Sequence, residues 1–278
     1  VMHYDDSDTR HWRFVYQPLQ DMQLKLDGIK AHIHVFHQEV LAVFEAIQQQ
    51  YCIRAIFSHQ EIGNKITYDR DLAVKEYCVI NQIAWTESQH NGVIRKLKSR
   101  KDWQQRWKET MLQPAKTIDL QGLNTVVLDS AFYDRIKGPE LDDAIRTPHP
   151  SFQQGGETLA WKYLKSFLSE RYVNYSKYIS KPALSRKGCS RISPYLSYGN
   201  ISMRMVFQYT AQHYALASNK RALSNFISRL HWHCHFMQKF EDECRMEFEN
   251  INSAYDTVVK PRNDAYIRAW QEGNTGVP

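Results

Sequence analysis

No apolar run in these 278 residues approaches the roughly 20 residues needed to span a bilayer, and the first residues carry no signal-peptide pattern. A membrane partner is therefore not expected. The five cysteines, Cys52, Cys78, Cys189, Cys234 and Cys244, are odd in number and share no paired spacing. That argues against a secreted disulfide scaffold and for an intracellular, reducing compartment. The first half lacks both G-x-G-x-x-G and a phosphate-loop lysine motif, so the commonest nucleotide-binding fingerprints are absent there.

What is present is length, a modest positive charge and many aromatic rings. At roughly 100–200 residues per domain, the length predicts two domains. Lys and Arg number 36 against 30 Asp and Glu, a formal charge of +6. Such a surface tolerates or attracts anions, nucleic acid included, and a mildly basic soluble surface gives the same number. Trp, Tyr and Phe make up 13% of the chain, and basic residues interleaved with such rings can neutralise phosphates and stack on bases.

Residues 1–112 alternate between short β-rich runs and amphipathic stretches in the α/β manner. After the acidic run 5–8, Trp12, Phe14, Val15, Leu19, Met22 and Leu26 recur at helical spacing and stop at Gly28. Strands are predicted at 31–36, 53–57 and 83–85, and helices at 40–50 and 68–81, giving a parallel, Rossmann-like sheet. Open α/β sheets bind ligands at the carboxyl ends of their strands, which makes Ser58, His59, Gln60 and Glu61 a candidate rim. A polar loop with no ligand reads the same way. Asp69 and Asp71 in a first helical turn are expected from the helix dipole alone.

Between 93 and 106 the chain is densely basic, with Arg95, Lys96, Lys98, Arg100, Lys101 and Arg106 around Trp103 and Trp107. This is either a solvated helix face or a track for a phosphate backbone. Periodicity then fades over 113–156, which reads as an interdomain linker with a few short helical pieces, punctuated by Pro114, Pro139, Pro148 and Pro150.

From 157 onward the pattern is helical, with further helices predicted at 203–215 and 221–246. Between them, residues 175–204 hold small side chains, hydroxyls and two glycines, Gly188 and Gly199, before a helix start. Such a stretch lets backbone approach a ligand closely and can hold phosphate oxygens. His231, Cys234 and His235 share one helical face and have zinc-ligand spacing, but no further ligand follows at a usual interval. No metal is expected, and the alternative is a helix presenting polar aromatics to a cavity or to DNA.

Four motifs in fixed order then carry a resemblance. Residues 157–168, Tyr175 with 188–196 and 199–204, the helix around Trp232, and 270–278 together resemble the DNA photolyase and cryptochrome family. The resemblance implies an α/β amino-terminal antenna-type domain (1–112), the long linker (113–156) and an all-α FAD-binding domain (157–278). It implies FAD, held by Tyr175, Cys189, Ser190, Arg191, Ile192 and Ser193, and a helix facing DNA with Arg229, Trp232, His233 and Phe236. The implied activity is blue-light-driven repair of pyrimidine dimers in DNA by electron transfer from reduced FAD, as a carbon–carbon lyase acting as a monomer. The alternative is a cryptochrome-type photoreceptor without repair.

Three positions depart from the family's pattern. Arg229 stands where dimer-repairing members carry a lesion-binding Glu, His233 replaces an Arg, and Cys189 begins the phosphate loop in place of Thr or Ser. A guanidinium only donates hydrogen bonds, so it cannot accept one from a thymine edge, although it can hold a phosphate. The resemblance also places the family's opening strand before Val1, and the acidic flavin loop with the electron-relay tryptophans after Pro278. The expectation from this is weak or no FAD binding by these 278 residues alone. No residue decides whether an antenna pigment would be a folate, a deazaflavin or a flavin.

Overall fold

The first helix, α1 (Thr9–Leu26), is opened by Asp8, whose carboxylate accepts the Arg10 amide at 2.8 Å, as an N-cap should. The computed structural model describes residues 1–116, 118–120 and 122–277. Thr117 and Gln121 of the long connection, and Pro278 at the end of the last motif, lie outside the described residues. A short 3-10 turn (Asp27–Ile29) ends α1 beside Gly28, where the apolar pattern stops.

Next come α2 (Val40–Gln48), β1 (Ala55–His59), α3 (Lys65–Ile80) and β2 (Ala84–Ser88). The two strands pair in parallel, with Ala55 opposite Ala84 and His59 opposite Ser88, and α3 is the crossover. The α/β reading thus holds as one strand–helix–strand unit. Val74, Tyr77, Cys78 and Ile83 form its small core, with Val40, Phe44, Ile56 and Trp85 packed around them.

No strand forms over 31–36, against the sequence expectation. The run is extended, but its polar backbone groups go to other elements. The Ile33 amide is taken by Gln23 Oε1 (2.8 Å), the Val35 carbonyl by the Tyr133 hydroxyl (2.7 Å), and the His37 amide by the Lys137 carbonyl (2.7 Å). Alternating side chains encode extended backbone, whereas a strand also needs a neighbour to complete a ladder.

After β2 the basic run 93–102 is an irregular loop, and α4 (Trp103–Leu112) begins at its first tryptophan. Two short helices, α5 (Ser130–Ile136) and α6 (Asp143–Arg146), interrupt the long connection; each is capped by an Asp, Asp129 and Asp142. The helical half then runs α7 (Glu157–Ser169), a 3-10 turn (Arg171–Asn174), α8 (Tyr175–Tyr178), α9 (Pro182–Gly188), α10 (Ser193–Ser197), α11 (Met203–Tyr214) and α12 (Lys220–Asp242). Ser202 caps α11 through the Met205 amide at 3.1 Å.

Two compact units result, Val1–Asp242 and Glu243–Pro278. The second contains 3-10 turns and α13 (Asp264–Glu272), which starts on the Asn263 side chain and stops at Gly273 in the left-handed conformation. Within the first unit the main core joins Leu164 and Phe167 of α7, Tyr195 of α10, Val206 of α11 and Phe226 and Leu230 of α12. Trp103, Trp107 and Met111 of α4 and Phe14 of α1 also belong to it, so residues from both sides of the long connection share one hydrophobic core. No helix of the described residues is long and apolar enough to cross a membrane, and all five cysteines are free.

A pair of glycines fixes where α7 meets α1. Pro18 inside α1 has no amide to give the Phe14 carbonyl. Gly155 packs into that gap, since a Cβ there would lie 2.5 Å from the Phe14 carbonyl oxygen and 2.8 Å from Pro18 Cδ. Its amide goes to Gln17 Oε1 at 2.7 Å, while Gly156, at φ +121°, gives its amide to Asn200 Oδ1 at 2.7 Å. Gly155→Ala should lower unfolding free energy by about 1–3 kcal/mol. Gly28→Ala, whose Cβ would meet nothing within 4 Å, should change it little. Urea denaturation of both variants checks the pair.

Candidate functional site

Arg171, a residue that the sequence pattern did not single out, ties the candidate loop to the helical core. Its guanidinium donates to the Tyr163 carbonyl (2.8 Å), to Ser166 Oγ (3.0 Å) and to the Cys189 carbonyl, and it lies 5.7 Å from the Phe167 ring. An arginine on a short turn between α7 and Tyr175 was the only available signal.

Tyr175 opens α8 with its ring edge-on between Phe167 (5.4 Å) and Phe226 (5.7 Å). Burial, with a smaller push from Cys189, raises its phenol to about 12, and Arg229 acts in the opposite direction. Tyr175, the Cys189 loop and Arg229 of α12 are thus close enough to affect one another's charge. Residues from two of the motifs meet here.

Cys189 is half-buried, and burial raises its thiol against the pull of Arg171 and Arg191. Ser190 is buried with Oγ 3.4 Å from the Ile192 amide, so its hydroxyl turns back on its own loop. Arg191 adopts a left-handed backbone, φ +61°, and exchanges two hydrogen bonds of 3.0 Å with the Gln153 side chain. Ile192 enters the main core, and exposed Ser193 begins α10. The Tyr195 hydroxyl donates to the Gln154 carbonyl at 2.8 Å, which fastens 153–154 to the loop.

A phosphate-bearing cofactor such as FAD fits this donor set. Among the described residues the Tyr175 hydroxyl has no hydrogen-bond partner. Both it and the Cys189 thiol are held in their neutral forms, so neither adds negative charge beside an anion. Ser193 offers an exposed hydroxyl, and Arg171 and Arg191 supply positive charge. The Arg191 Nε is engaged by Gln153, while its guanidinium keeps its charge.

On α12 the side chains divide by face. Leu230 and Cys234 join the core, whereas Trp232 and Phe236 are 47% and 56% exposed with ring centroids 5.6 Å apart. The Arg229 guanidinium stands 5.3 Å from the Trp232 ring centroid. His233 turns inward; its Nε2 is buried without a partner, and it lies close enough to His90 to affect that ring's charge. His231 is packed by Trp103 (5.0 Å) and Trp107 (4.9 Å), and His235 meets Arg100 Nη2 at 2.9 Å. His231 and His235 both pack on Trp103 while Cys234 lies in the core, and no group of three or more His, Cys, Asp or Glu among the described residues converges as metal ligands do.

The candidate rim after β1 is occupied by its own contacts. Ser58 Oγ accepts the Trp85 indole (3.0 Å), and Glu61 holds the Ile62 and Gly63 amides and Arg70. Asp69 and Asp71 pair with Lys65 and Arg70.

The inward imidazoles predict acid sensitivity. Burial is the leading cause that lowers His90, His231, His233 and His235 below the usual histidine value. A depressed value means the unfolded chain binds protons that the folded chain refuses. Stability is then fully present above the ordinary value near 6.5 and falls as pH drops below it, by at most about 1.4 kcal/mol per pH unit for each histidine. Denaturant midpoints measured from pH 7 to pH 5 should decline, and His233→Leu, which removes an unpaired buried nitrogen, should shallow the decline.

In sequence and in fold the chain is similar to several known proteins. The sequence profile of the FAD binding domain of DNA photolyase matches residues 226–278. A deoxyribodipyrimidine photo-lyase of Thermus thermophilus is 27% identical over 146 residues, covering 51% of this chain and 32% of that protein. One of Halobacterium salinarum is 23% identical over 307 residues, covering 100% and 61%. The chain thus spans from about a third to three fifths of the length of these relatives. By fold it is similar to a class III photolyase of Agrobacterium tumefaciens, at TM-score 0.71 and 15% identity over 95% of this chain and 56% of that one. A cryptochrome of Synechocystis gives TM-score 0.68 and 16% identity, over 95% and 58%. An archaeal photolyase of Sulfolobus tokodaii, solved with two FAD molecules, gives 0.65 and 18%, over 96% and 56%. Sequence profile, curated relatives and fold all point to the photolyase/cryptochrome family as what this chain is similar to.

Proposed function

We propose that this chain is the part of a photolyase-like flavoprotein that cradles FAD between the 171–193 loop and α12, and that the protein repairs pyrimidine dimers in DNA under blue light. The observation that carries the reading is the packing of Tyr175 edge-on against Phe226 of α12, the helix whose outer face bears the exposed Trp232–Phe236 pair. A loop able to hold a phosphate-bearing cofactor thereby adjoins a surface able to stack a base. The domain boundaries proposed from the sequence, with 113–156 as linker, belong to the same reading.

FAD, when bound and reduced, supplies the photoexcited electron that opens a cyclobutane dimer. The chain's own residues bind and orient. The neutral Tyr175 phenol and Ser193 hydroxyl donate to phosphate or ribityl oxygens, and the Arg171 contacts keep the loop's backbone in shape. Trp232 and Phe236 receive a base turned out of the helix, a contact worth about 1–3 kcal/mol per base.

Arg229 favours a second reading, a cryptochrome-type photoreceptor without repair. Its guanidinium occupies the Trp232 surface, and it has only donors where a dimer-binding site needs an acceptor.

The test is blue-light illumination of the full-length protein with reduced FAD and ultraviolet-irradiated oligothymidine. Recovery of thymine absorbance is expected, and Trp232→Ala should weaken dimer binding about 5- to 150-fold. Flavin binding with no recovery of absorbance would select the photoreceptor reading. Failure to bind FAD at all would remove both.

A further inference from the structure

Arg13 on α1 is a buried cation with no anion beside it. The residue is only 9% exposed, and arginines are almost never buried to this extent unless paired. α1 packs on α6, the short helix of the long connection, and Arg13 Nε donates to the Ala144 carbonyl there at 2.8 Å. Among the described residues Arg13 has no other hydrogen bond and no ion pair. Both Nη nitrogens are left without a partner, and solvent reaches them.

Gln17, one turn along the same face of α1, repeats the pattern at 8% exposure. Its Oε1 accepts the Gly155 amide at 2.7 Å, whereas Nε2 has no partner among the described residues and is likewise open to solvent. The carboxylates that α1, α6 and their caps carry are committed elsewhere. Asp8 holds the Arg10 amide, Asp21 holds Thr158 and Lys25, Asp142 holds the Ala144 amide, and Asp143 pairs with Arg146. Donors without acceptors therefore stand one helical turn apart, where α1 meets α6 and Gly155.

A charge held out of water without compensation is costly, and the guanidinium fork matches the two oxygens of a carboxylate. We propose that Arg13 and Gln17 form a binding site for a small monocarboxylate, with its oxygens on the Arg13 Nη nitrogens and the Gln17 amide as a further donor. One buried positive charge balances one negative charge. A phosphate dianion would exceed it, on a helix pair where α6 already brings Asp142 and Asp143. Since Arg13 holds α6 and Gln17 holds Gly155, an occupied site would fasten the long connection to α1 at both its short helix and its end. The site does not depend on the flavin reading.

The test is the melting temperature of the full-length protein in sodium acetate against sodium chloride of equal ionic strength. Acetate at about ten times its dissociation constant should raise the melting temperature by about 3–5 °C above chloride, and the rise should saturate. Arg13→Gln should abolish the difference. A full acetate shift retained in that variant would overturn the site, because a merely structural arginine leaves the shift in place. Line broadening of carbon-13 acetate by the unaltered protein, competed away by unlabelled formate, reads the same binding without any variant. Absence of both shift and broadening would overturn the site, and a shift produced by phosphate but not by acetate would overturn the carboxylate assignment.

Discussion

One buried amide holds the site together. Gln238 lies near the end of a 23-residue helix, fully out of contact with water, and it satisfies both backbone groups of Ile94 at once. A buried carboxamide without partners would cost about 1–3 kcal/mol, so the loop and the helix are compelled to meet there. Its remaining hydrogen bond goes to Asp242, which also meets Arg100. The position of the basic loop, and of Trp103 and Trp107 behind it, follows from this contact. So does the merging of α4 with the core of the helical half.

Around the candidate cofactor loop the governing fact is suppressed negative charge. Burial keeps the Tyr175 phenol and the Cys189 thiol neutral, and arginines at 171 and 191 brace the loop by hydrogen bonds to carbonyls and to Gln153. A site for an anionic group needs donors that do not ionise at working pH. A desolvated phenol and thiol meet that need through packing against Phe167 and Phe226, with no metal required by the donor set.

Local signals in the sequence were legible where a single side chain decides the outcome. Asp8 and Ser202 cap helices at the expected places, and α7 and α12 follow their apolar spacing. The parallel pair β1 and β2 was visible as β-rich runs on either side of a helix, though each strand lies one or two residues later than the apolar residues suggest. Residues 31–36 misled because alternation carries no information about a pairing partner. Nor could spacing along a helix show that His233 turns toward His90 while Trp232, one residue away, is exposed: that depends on which neighbours the fold brings to each face. Arg171, Gln153 and Gln238 escaped notice for the same reason, since their partners lie on other elements.

The Trp232 ring is not bare. With the Arg229 guanidinium 5.3 Å from its centroid, a base can settle on the indole only by exchanging places with a cation or by sharing the ring with it. A cation on an exposed ring is worth about 0.5–1 kcal/mol, less than the 1–3 kcal/mol of a stacked base, so the exchange runs forward. The displaced guanidinium then needs an acceptor, and a nucleotide brings one in its own phosphate. On the proposed DNA-binding reading, the ring would favour bases that arrive attached to a backbone over free bases, a selectivity set by the residue one helical turn before it.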